Sequence, residues 1–345
     1  NYELSLEFFN YLSKDLNVKV VMWVYDDEMI FETLTKYYAQ VVDLAVTCDF
    51  FAVSGYRRLG TPALHYFSSY DKYELFPVNV ERDFEVSFVG DCTKSDRATM
   101  IKFLKKNGID VKTFGKGSDG GFISSQEMSK VFSRSKINLN FTKVDQLGLS
   151  AWFLGENTMA ALMRQAKGRP MEVAMTRSFC LSEYSPSLGE TFVDGEEIEQ
   201  FKTPEDLLAK VRHYLVEDTK RERIARAAYK KATEQFEAGV LFPKLAQTIC
   251  DIVEESSRER RSEQRLLYRD TVFKKNHLIR LTILLFVQIS RSRLREAVET
   301  FGALFQYGGM LFVTAFVRGM KISLFKSLRA PRIGELFEKL GLIKQ

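Results

Sequence analysis

Cysteine, histidine and proline are scarce in this sequence, which has 4 Cys, 3 His and 7 Pro among 345 residues. The cysteines are far apart, and none belongs to a C-x-x-C pair: Cys48, Cys92, Cys180 and Cys250. This pattern excludes a disulfide framework and a cysteine zinc site, and it indicates a reducing compartment. The scattered histidines likewise predict no histidine metal site.

The sequence also lacks the common nucleotide-loop signatures and a long apolar run. The turn GKGSDGG (115–121) matches neither GxxxxGK[ST] nor GxGxxG. The longest uncharged segment, Thr300–Val317, contains Gln306 and three glycines and is shorter than the roughly 20 apolar residues that span a bilayer. The first residues, NYELSLEFFNYL, predict a helix, and we expect no signal peptide there.

Charge is unevenly distributed along the chain. Residues 273–345 contain 13 Lys and Arg against 4 Asp and Glu, whereas the whole chain has a net charge of only +5. A basic, partly apolar tail therefore follows a mildly acidic body, which suggests a membrane surface as the tail's partner. Two alternatives are a helical hairpin packed on the body or on a second copy, and a true membrane span. A nucleic-acid partner is disfavoured, because long apolar runs interrupt the basic residues.

Short β-rich runs alternate with longer amphipathic runs through the body, which predicts an α/β fold. We expect Rossmann-type, doubly wound parallel sheets, with an N-terminal half of only about three strands, and a C-terminal helical tail. The predicted domains are residues 1–80, residues 81–251 and the charged helix and tail of residues 252–345.

Charged residues and glycines follow several predicted strands, where parallel α/β sheets bind ligands. They include Asp26, Asp27, Asp49, Asp91, Lys94, Arg97, Gly115, Lys116, Gly117, Asp119, Gly120, Gly121 and Lys143. Basic groups and glycine-rich turns at strand ends suit a phosphate-bearing ligand. The alternatives are solvated surface for the cations and an ordinary flexible turn for the glycines. The acidic run DDE (26–28) suits either a divalent metal or the positive end of a helix.

Several segments, taken in order, resemble one known family. They include VVMWVYDDE, FEVSFVGDCTKSDR, VKTFGKG, SSQEMSKVFSRSKINLNFT and KGRPMEVAMTRSFCLSEYSP. Together they resemble the CgeB-like glycosyltransferases of the spore maturation protein type, which have the GT-B fold. The resemblance covers roughly residues 18–236 and does not include the tail.

The resemblance implies roles for particular residues. The family's K-x-R-x-F-E segment matches Lys167, Arg169 and Glu172, with Met171 replacing the aromatic residue. It implies that Glu172 accepts hydrogen bonds from the ribose hydroxyls of a donor nucleotide, and that Arg169 and Lys167 face the diphosphate.

Further positions are implied on both sides of the cleft. Gly115–Gly117 would lie near the base or diphosphate, and Lys94 and Arg97 would add positive charge there. Glu183 would end a strand near the cleft in an orienting role. Either Asp26 or Asp27, facing the cleft, would serve as the acceptor base.

The chain departs from the family pattern at one informative position. Many related retaining enzymes carry two glutamates separated by seven residues, but Arg164 stands where the first is expected. The stereochemistry of transfer is therefore open.

These observations predict a metal-independent, hexosyltransferase-like enzyme with no cofactor. It would use a nucleotide-diphospho-sugar, with UDP the favoured nucleotide, and a glycan, lipid-linked or protein acceptor in cell-surface polysaccharide synthesis. We expect it at the cytoplasmic membrane face, held there by the tail, or as a homo-oligomer formed through the tail. The alternative is a non-catalytic nucleotide-sugar-binding or scaffold protein with a degenerate GT-B site.

Overall fold

The computed structural model describes residues 6–143, 164–255, 271–308, 312–314, 316–317 and 319–320. Within them the chain forms two parallel sheets. The first sheet has the order β1-β2-β3, with bounds β1 Val21–Val24, β2 Leu44–Thr47 and β3 Ala63–His65. Strand β2 is buried along its whole length, as expected for a central parallel strand covered on both faces.

The second sheet has five parallel strands in the order β5-β4-β6-β7-β8. Their bounds are β4 Phe84–Val89, β5 Val111–Phe114, β6 Ser135–Asn140, β7 Cys180–Glu183 and β8 Glu199–Phe201. The chain winds outward from β4 to β5 on one side and from β6 to β8 on the other. The predicted doubly wound α/β fold is thus confirmed, and its switch point lies between β4 and β6, where such sheets bind ligands.

Helices flank both sheets. Their bounds are α1 Leu6–Lys14, α2 Asp27–Ile30, α3 Lys36–Tyr38, α4 Phe50–Arg58, α5 Ser95–Lys106, α6 Ser125–Arg134, α7 Arg169–Met175, α8 Pro204–Val216, α9 Asp218–Lys231, α10 Ala238–Glu255, α11 Thr271–Ser290 and α12 Leu294–Gly308. Single-turn π-helical segments occupy Phe31–Thr35 and Ala232–Phe236, and 3₁₀ turns occupy Ala39–Val41 and Pro186–Glu190.

Local sequence signals account for two of the helix starts. Ser124 and Glu127 form a reciprocal capping box at the start of α6. The Thr203 hydroxyl accepts a hydrogen bond from the Asp206 backbone N–H, and Pro204 occupies the first position of α8. Each cap satisfies backbone donors that the helix itself leaves open.

Buried apolar side chains hold the second sheet between its helices. Val86, Ile137 and Leu181 on three neighbouring strands are fully buried against Leu104 and Val211 of the flanking helices. At about 25 cal/mol per Å² of buried apolar surface, such side chains are the main favourable contribution to folding.

Helix α10 returns from the second sheet to cover the first. Its Leu245 and Val253 pack with Leu44 and Val46 of β2. The Lys19 Nζ donates to the Val253 carbonyl at 2.7 Å. The predicted domain boundary at residue 251 stays a prediction. The C-terminal part of the predicted domain 81–251 contacts the N-terminal sheet through α10.

The start of the tail is a helical hairpin. Leu278, Ile279 and Leu285 of α11 pack with Ala297 and Leu304 of α12. Helix α11 also contacts the π-helical segment Phe31–Thr35, which follows α2. Among the described helices, none is long and apolar enough to cross a bilayer. Most of the remaining tail, from residue 321, lies outside the described residues.

Candidate active site

A cleft separates the carboxyl ends of the two sheets. Asp26 follows β1, and its Oδ1 accepts a hydrogen bond from Gln165 Nε2 of the second half at 2.6 Å. Asp49, which follows β2, lines the same cavity as Tyr184, which follows β7. The strand ends of both sheets therefore face one shared space.

One side of the cleft carries three basic groups, which we call the basic wall: Lys94, Arg97 and Lys167. The Lys167 Nζ donates to the carbonyl oxygens of Phe141 at 3.1 Å and Lys143 at 3.4 Å, at the end of β6. Burial lowers the pKa of Lys167 to about 7, and repulsion from Arg97 and Lys94 adds to the shift. An anion bound here would restore its full charge.

The basic wall lies at the switch point of the second sheet. Lys94 is the N-cap residue of α5, and Arg97 lies in the first turn of that helix. Arg97 Nη1 donates to the Asp91 carbonyl at 3.4 Å, directly after β4. Since a helix N terminus carries partial positive charge, α5 reinforces the two side chains. Three of the predicted phosphate contacts are thus brought together.

Gly115 and Gly117 allow two loops to approach closely. Gly115 has φ +109°, and a Cβ there would lie 2.3 Å from the Gly90 carbonyl oxygen. Gly117 has φ +68°, and its Cβ would meet the Thr93 side chain at 2.4 Å. Backbone bonds join the same loops, with Cys92 N–H donating to the Lys116 carbonyl at 2.8 Å. The glycines therefore hold the loop after β5 against the one after β4.

Glu172 is partly accessible, whereas the other residues of α7 from Pro170 to Met175 are buried. Met171 and Val173 are fully buried, while the Glu172 carboxylate pairs with the Arg169 guanidinium. Burial raises the pKa of Tyr70, and the negative charge of Glu172 raises it further, which places that phenol beside the carboxylate. Arg169 also lies over the Phe132 ring, 5.6 Å from its centroid. Glu172 is thus held in position by neighbouring polar groups.

Glu183 organises the loop after β6. It is 6% exposed, and its Oε2 accepts from the backbone N–H groups of Thr142 and Lys143, both at 2.9 Å. Its Oε1 lies 3.4 Å from Nε of Arg164. The residue that departs from the family pattern, Arg164, therefore has a carboxylate partner and also lines the cleft.

The opposite side of the cleft carries four carboxyl groups, which we call the acidic wall: Asp26, Asp27, Glu28 and Asp49. Asp27 is 1% exposed and accepts hydrogen bonds from Thr35 Oγ1 and from the Tyr56 hydroxyl at 2.8 Å. Burial raises its pKa. The geometry gives Asp27 a structural environment, whereas Asp26 is exposed and contacts the other half.

Glu28 and Asp49 follow predicted strands, but neither was among the predicted catalytic or nucleotide-binding residues. They line a cavity of about 490 Å³ together with Phe51, Arg164 and Tyr184. Burial raises the pKa of Glu28 to about 8, and repulsion from Asp49 and Asp26 adds to it. Glu28 is the third carboxylate of the run DDE (26–28), and this run was the signal in the sequence. Within the described part of the chain, no three His, Cys, Asp or Glu side chains are placed to hold a metal ion.

The fold defined by these two sheets and their cleft is that of a GT-B-type glycosyltransferase. Residues 97–239, less than half of the chain, match the model of a family described as Glycosyl transferase-like. This segment includes Arg97, Lys167 and Glu172. No curated protein matches the sequence.

Solved structures of the Anabaena protein HepE share this fold at 10% sequence identity. The complex with UDP and glucose has a TM-score of 0.54, covering 71% of this chain and 75% of HepE. The complex with UDP-glucose has a TM-score of 0.53, covering 71% and 76%. The complex with UDP has a TM-score of 0.55, covering 72% and 77%.

Proposed function

We propose that this protein is a glycosyltransferase that takes a hexosyl group from a nucleotide-diphospho-sugar, with UDP as the favoured nucleotide. The observation that carries this proposal is the meeting of Lys94, Arg97 and Lys167 at the switch point of the second sheet. The similar fold of HepE, which was solved with UDP and with UDP-glucose, supports the choice of nucleotide.

The basic wall would bind the diphosphate and stabilise it as it leaves. Charge-assisted hydrogen bonds from Lys and Arg can neutralise phosphate oxygens without a divalent metal. We therefore propose metal-independent transfer with no cofactor. Chelation by EDTA should leave turnover unchanged, whereas a loss restored by Mg²⁺ or Mn²⁺ would refute this part.

Glu172 would accept hydrogen bonds from the ribose hydroxyls, with Arg169 holding its carboxylate in place. The loop Gly115–Gly117 would border the nucleotide beside the basic wall. Glu183 would act indirectly, by holding the backbone of Thr142 and Lys143 at the floor of the cleft.

The acceptor would be a glycan, a lipid-linked molecule or a protein. The enzyme would be CgeB-like and would act in cell-surface polysaccharide synthesis. Leu294, Val298, Phe301 and Phe305 form an exposed apolar stripe on α12. Because the surrounding tail is basic, we propose that it holds the protein on the cytoplasmic membrane face. Self-association through this stripe is the competing role.

Calorimetry with UDP, GDP and ADP tests donor binding. Wild-type protein should bind UDP, and Lys167→Met should weaken binding. Lys130→Met changes an exposed lysine on α6 and should leave the affinity unchanged. Absence of nucleotide binding by the wild type would refute the proposal.

A second candidate function is nucleotide-sugar binding without catalysis. It is favoured by one observation: Arg164, paired with Glu183, occupies a position where related retaining enzymes carry a carboxylate. Slow hydrolysis of UDP-glucose or another UDP-hexose by the wild type, in the absence of an acceptor, would favour the enzyme. UDP binding without any donor turnover would favour the binding protein.

A further inference from the structure

Tyr70 reaches the proposed ribose carboxylate from the connection between the two sheets. That connection runs from His65, the last residue of β3, to Phe84, the first residue of β4. Burial raises the pKa of the Tyr70 phenol, and the charge of Glu172 and a hydrogen bond to its carboxylate raise it further, whereas the charge of Arg169 opposes the shift. The phenol therefore lies beside the ion pair of Glu172 and Arg169.

A glycine makes room for this phenol. Gly168 is the N-cap residue of α7 and has an ordinary φ of −64°, so its backbone conformation does not require glycine. The space does require it, because a Cβ at this position would lie 2.1 Å from Oη of Tyr70 and 3.1 Å from Oγ of Ser68. The phenol oxygen thus occupies the volume that a side chain at position 168 would need, at the start of the helix that carries Glu172.

The backbone of Tyr70 is fixed where the two connections between the sheets run side by side. Its carbonyl accepts a hydrogen bond from the Ala238 N–H at 3.2 Å, and Tyr70 forms a parallel bridge with Glu237. The Ser69 Oγ donates to the Phe236 carbonyl at 2.7 Å. This returning connection leads into α10, which covers the first sheet. The phenol is therefore anchored outside the sheet that it reaches.

The Glu172 carboxylate has enough acceptor positions for this contact and for a ribose. An ionised carboxylate has about four lone-pair sites. Arg169 Nη1 donates to one oxygen, Oε2, and the Tyr70 phenol is a second donor. About two sites then remain for the two ribose hydroxyls. Arg169 is itself a flexible side chain of the same helix, whereas the Tyr70 ring is rigid and its backbone is anchored, so Tyr70 restricts the rotation of the carboxylate.

We propose that Tyr70 is a positioning residue for the donor nucleotide, whose phenol donates to Glu172 and holds the carboxylate in the orientation that accepts from both ribose hydroxyls. This inference rests on the proposed glycosyl transfer and on the ribose contact of Glu172. Tyr70 acts through Glu172 and makes no contact with the nucleotide. Ribose recognition by the second sheet thus depends on a residue of the connection between the sheets.

A double-mutant cycle of Tyr70→Phe and Glu172→Ala tests this role by calorimetry with UDP. Tyr70→Phe should weaken UDP binding roughly 3- to 30-fold, within the coupling found inside one hydrogen-bond network. In the Glu172→Ala background the same change should have almost no effect, because the group that Tyr70 positions is gone. Tyr73→Phe, at a 76% exposed site on the same connection, should match its parent protein in both backgrounds.

2′-Deoxy-UDP provides a readout that a loss of stability would not change. The wild type should prefer UDP over 2′-deoxy-UDP, because Glu172 accepts from both ribose hydroxyls. Tyr70→Phe should reduce this preference, since a misoriented carboxylate gains less from the second hydroxyl. A smaller folded fraction would instead weaken the binding of both nucleotides by the same factor.

Gly168→Ala tests the close approach of the phenol independently. The new Cβ would displace the phenol oxygen, so this variant should show the same loss of UDP affinity and the same reduced preference as Tyr70→Phe. Added to Tyr70→Phe, Gly168→Ala should have little further effect, because phenylalanine lacks the oxygen that the Cβ would meet.

The outcomes separate this inference from the proposed function. If the wild type binds no UDP, the glycosyltransferase proposal itself fails. If Glu172→Ala binds UDP as tightly as the wild type, the ribose contact of Glu172 is wrong, and the role of Tyr70 with it.

If Glu172→Ala weakens binding while Tyr70→Phe matches the wild type, or has the same effect in both backgrounds, only the role of Tyr70 is wrong. If Tyr70→Phe does not fold, the preference of Gly168→Ala for UDP over 2′-deoxy-UDP decides. A reduced preference supports the inference, and an unchanged preference overturns it.

Discussion

The two walls of the cleft carry opposite charge, and burial acts on them in opposite directions. On the basic wall it lowers the pKa of Lys167 to about 7, and on the acidic wall it raises the pKa of Glu28 to about 8. Desolvation penalises whichever form is charged, so both groups are shifted toward neutrality. Each wall thus holds an ionisable group whose charge a ligand can restore.

The walls differ in how their charges are held. Lys167 donates to two backbone carbonyls, whereas both Glu28 carboxylate oxygens are buried without a hydrogen bond of normal geometry among the described residues. The Gln165 amide, which donates to Asp26, is nevertheless close enough to favour the ionised form of Glu28. Asp27, next to Glu28 in the sequence, is the reverse case, with Thr35 and Tyr56 both donating to it. Adjacent carboxylates on one wall therefore have different environments: two hydroxyl groups donate to Asp27, and Glu28 is buried with little hydrogen bonding.

The largest expected effect separates Asp27 from Asp26, its exposed neighbour on the acidic wall. Asp27→Ala should lower the free energy of unfolding by about 3 kcal/mol, because it leaves the Tyr56 and Thr35 hydroxyls buried without their acceptor. Asp26→Ala, at an exposed position, should change it by less than about 1 kcal/mol. Urea denaturation at pH 7 measures both. Equal losses from the two variants would show that Asp27 has no special structural role.

The pH dependence of stability should contain a component from Glu28, in the same direction as those from Asp27 and Asp49, whose pKa values burial also raises. Its pKa in the folded protein is about 8, against an ordinary value of 4.5, so the folded state binds the proton more tightly. Stability is then highest below pH 4.5 as far as this group is concerned, and falls as pH rises toward 8. Allowing for partial exposure, the loss is roughly 2 to 3 kcal/mol. Glu28→Gln should remove this component of the pH dependence. If the free energy of unfolding of Glu28→Gln changes from pH 5 to 8.5 as much as that of the wild type, the raised pKa of Glu28 is contradicted.

A smaller effect is expected on the basic wall. Lys167→Met should weaken UDP binding about 10- to 100-fold, the effect of losing one charge-assisted hydrogen bond of roughly 1.5 to 3 kcal/mol. Its stability should be unchanged or increased, since a buried cation is removed. Calorimetry and thermal unfolding measure the two quantities. If Lys167→Met loses affinity because it is unfolded, the result would count against a direct contact between Lys167 and UDP.

The smallest expected effect is proton uptake on nucleotide binding. Near pH 8 Lys167 is largely neutral, and a bound diphosphate would favour its charged form. UDP binding should therefore take up a fraction of one proton, seen as a dependence of the calorimetric heat on the ionisation enthalpy of the buffer. Lys167→Met should show less uptake. Equal heats in all buffers would show that Lys167 does not change protonation.

Sequence reasoning captured the features that depend on local pattern and on strand order. Alternating runs predicted the two parallel sheets, and residues placed after the strands identified Lys94 and Arg97 near the switch point. It did not identify Glu28, because helix α2 begins at Asp27 and a rotation of about 100° per residue decides which carboxylate faces the cleft. The pairing of Arg164 with Glu183 spans 19 residues and leaves no periodic signal. The packing of α10 on the first sheet could not be predicted either. The amphipathic pattern of α10 shows which face of the helix is apolar, but not which surface that face covers.

The contact between helix α11 and the turn Phe31–Thr35 links the tail to the cleft. Thr35, at the end of that turn, donates to Asp27, the residue next to Glu28. If docking of the hairpin on the body shifts this turn, hairpin docking and ligand binding in the cleft cavity become coupled equilibria. The coupling free energy would then be the same in both directions, so a ligand that binds more tightly to the docked form must also tighten docking. If the tail holds the protein on a membrane, as proposed above, the hairpin would also report that location to the cleft.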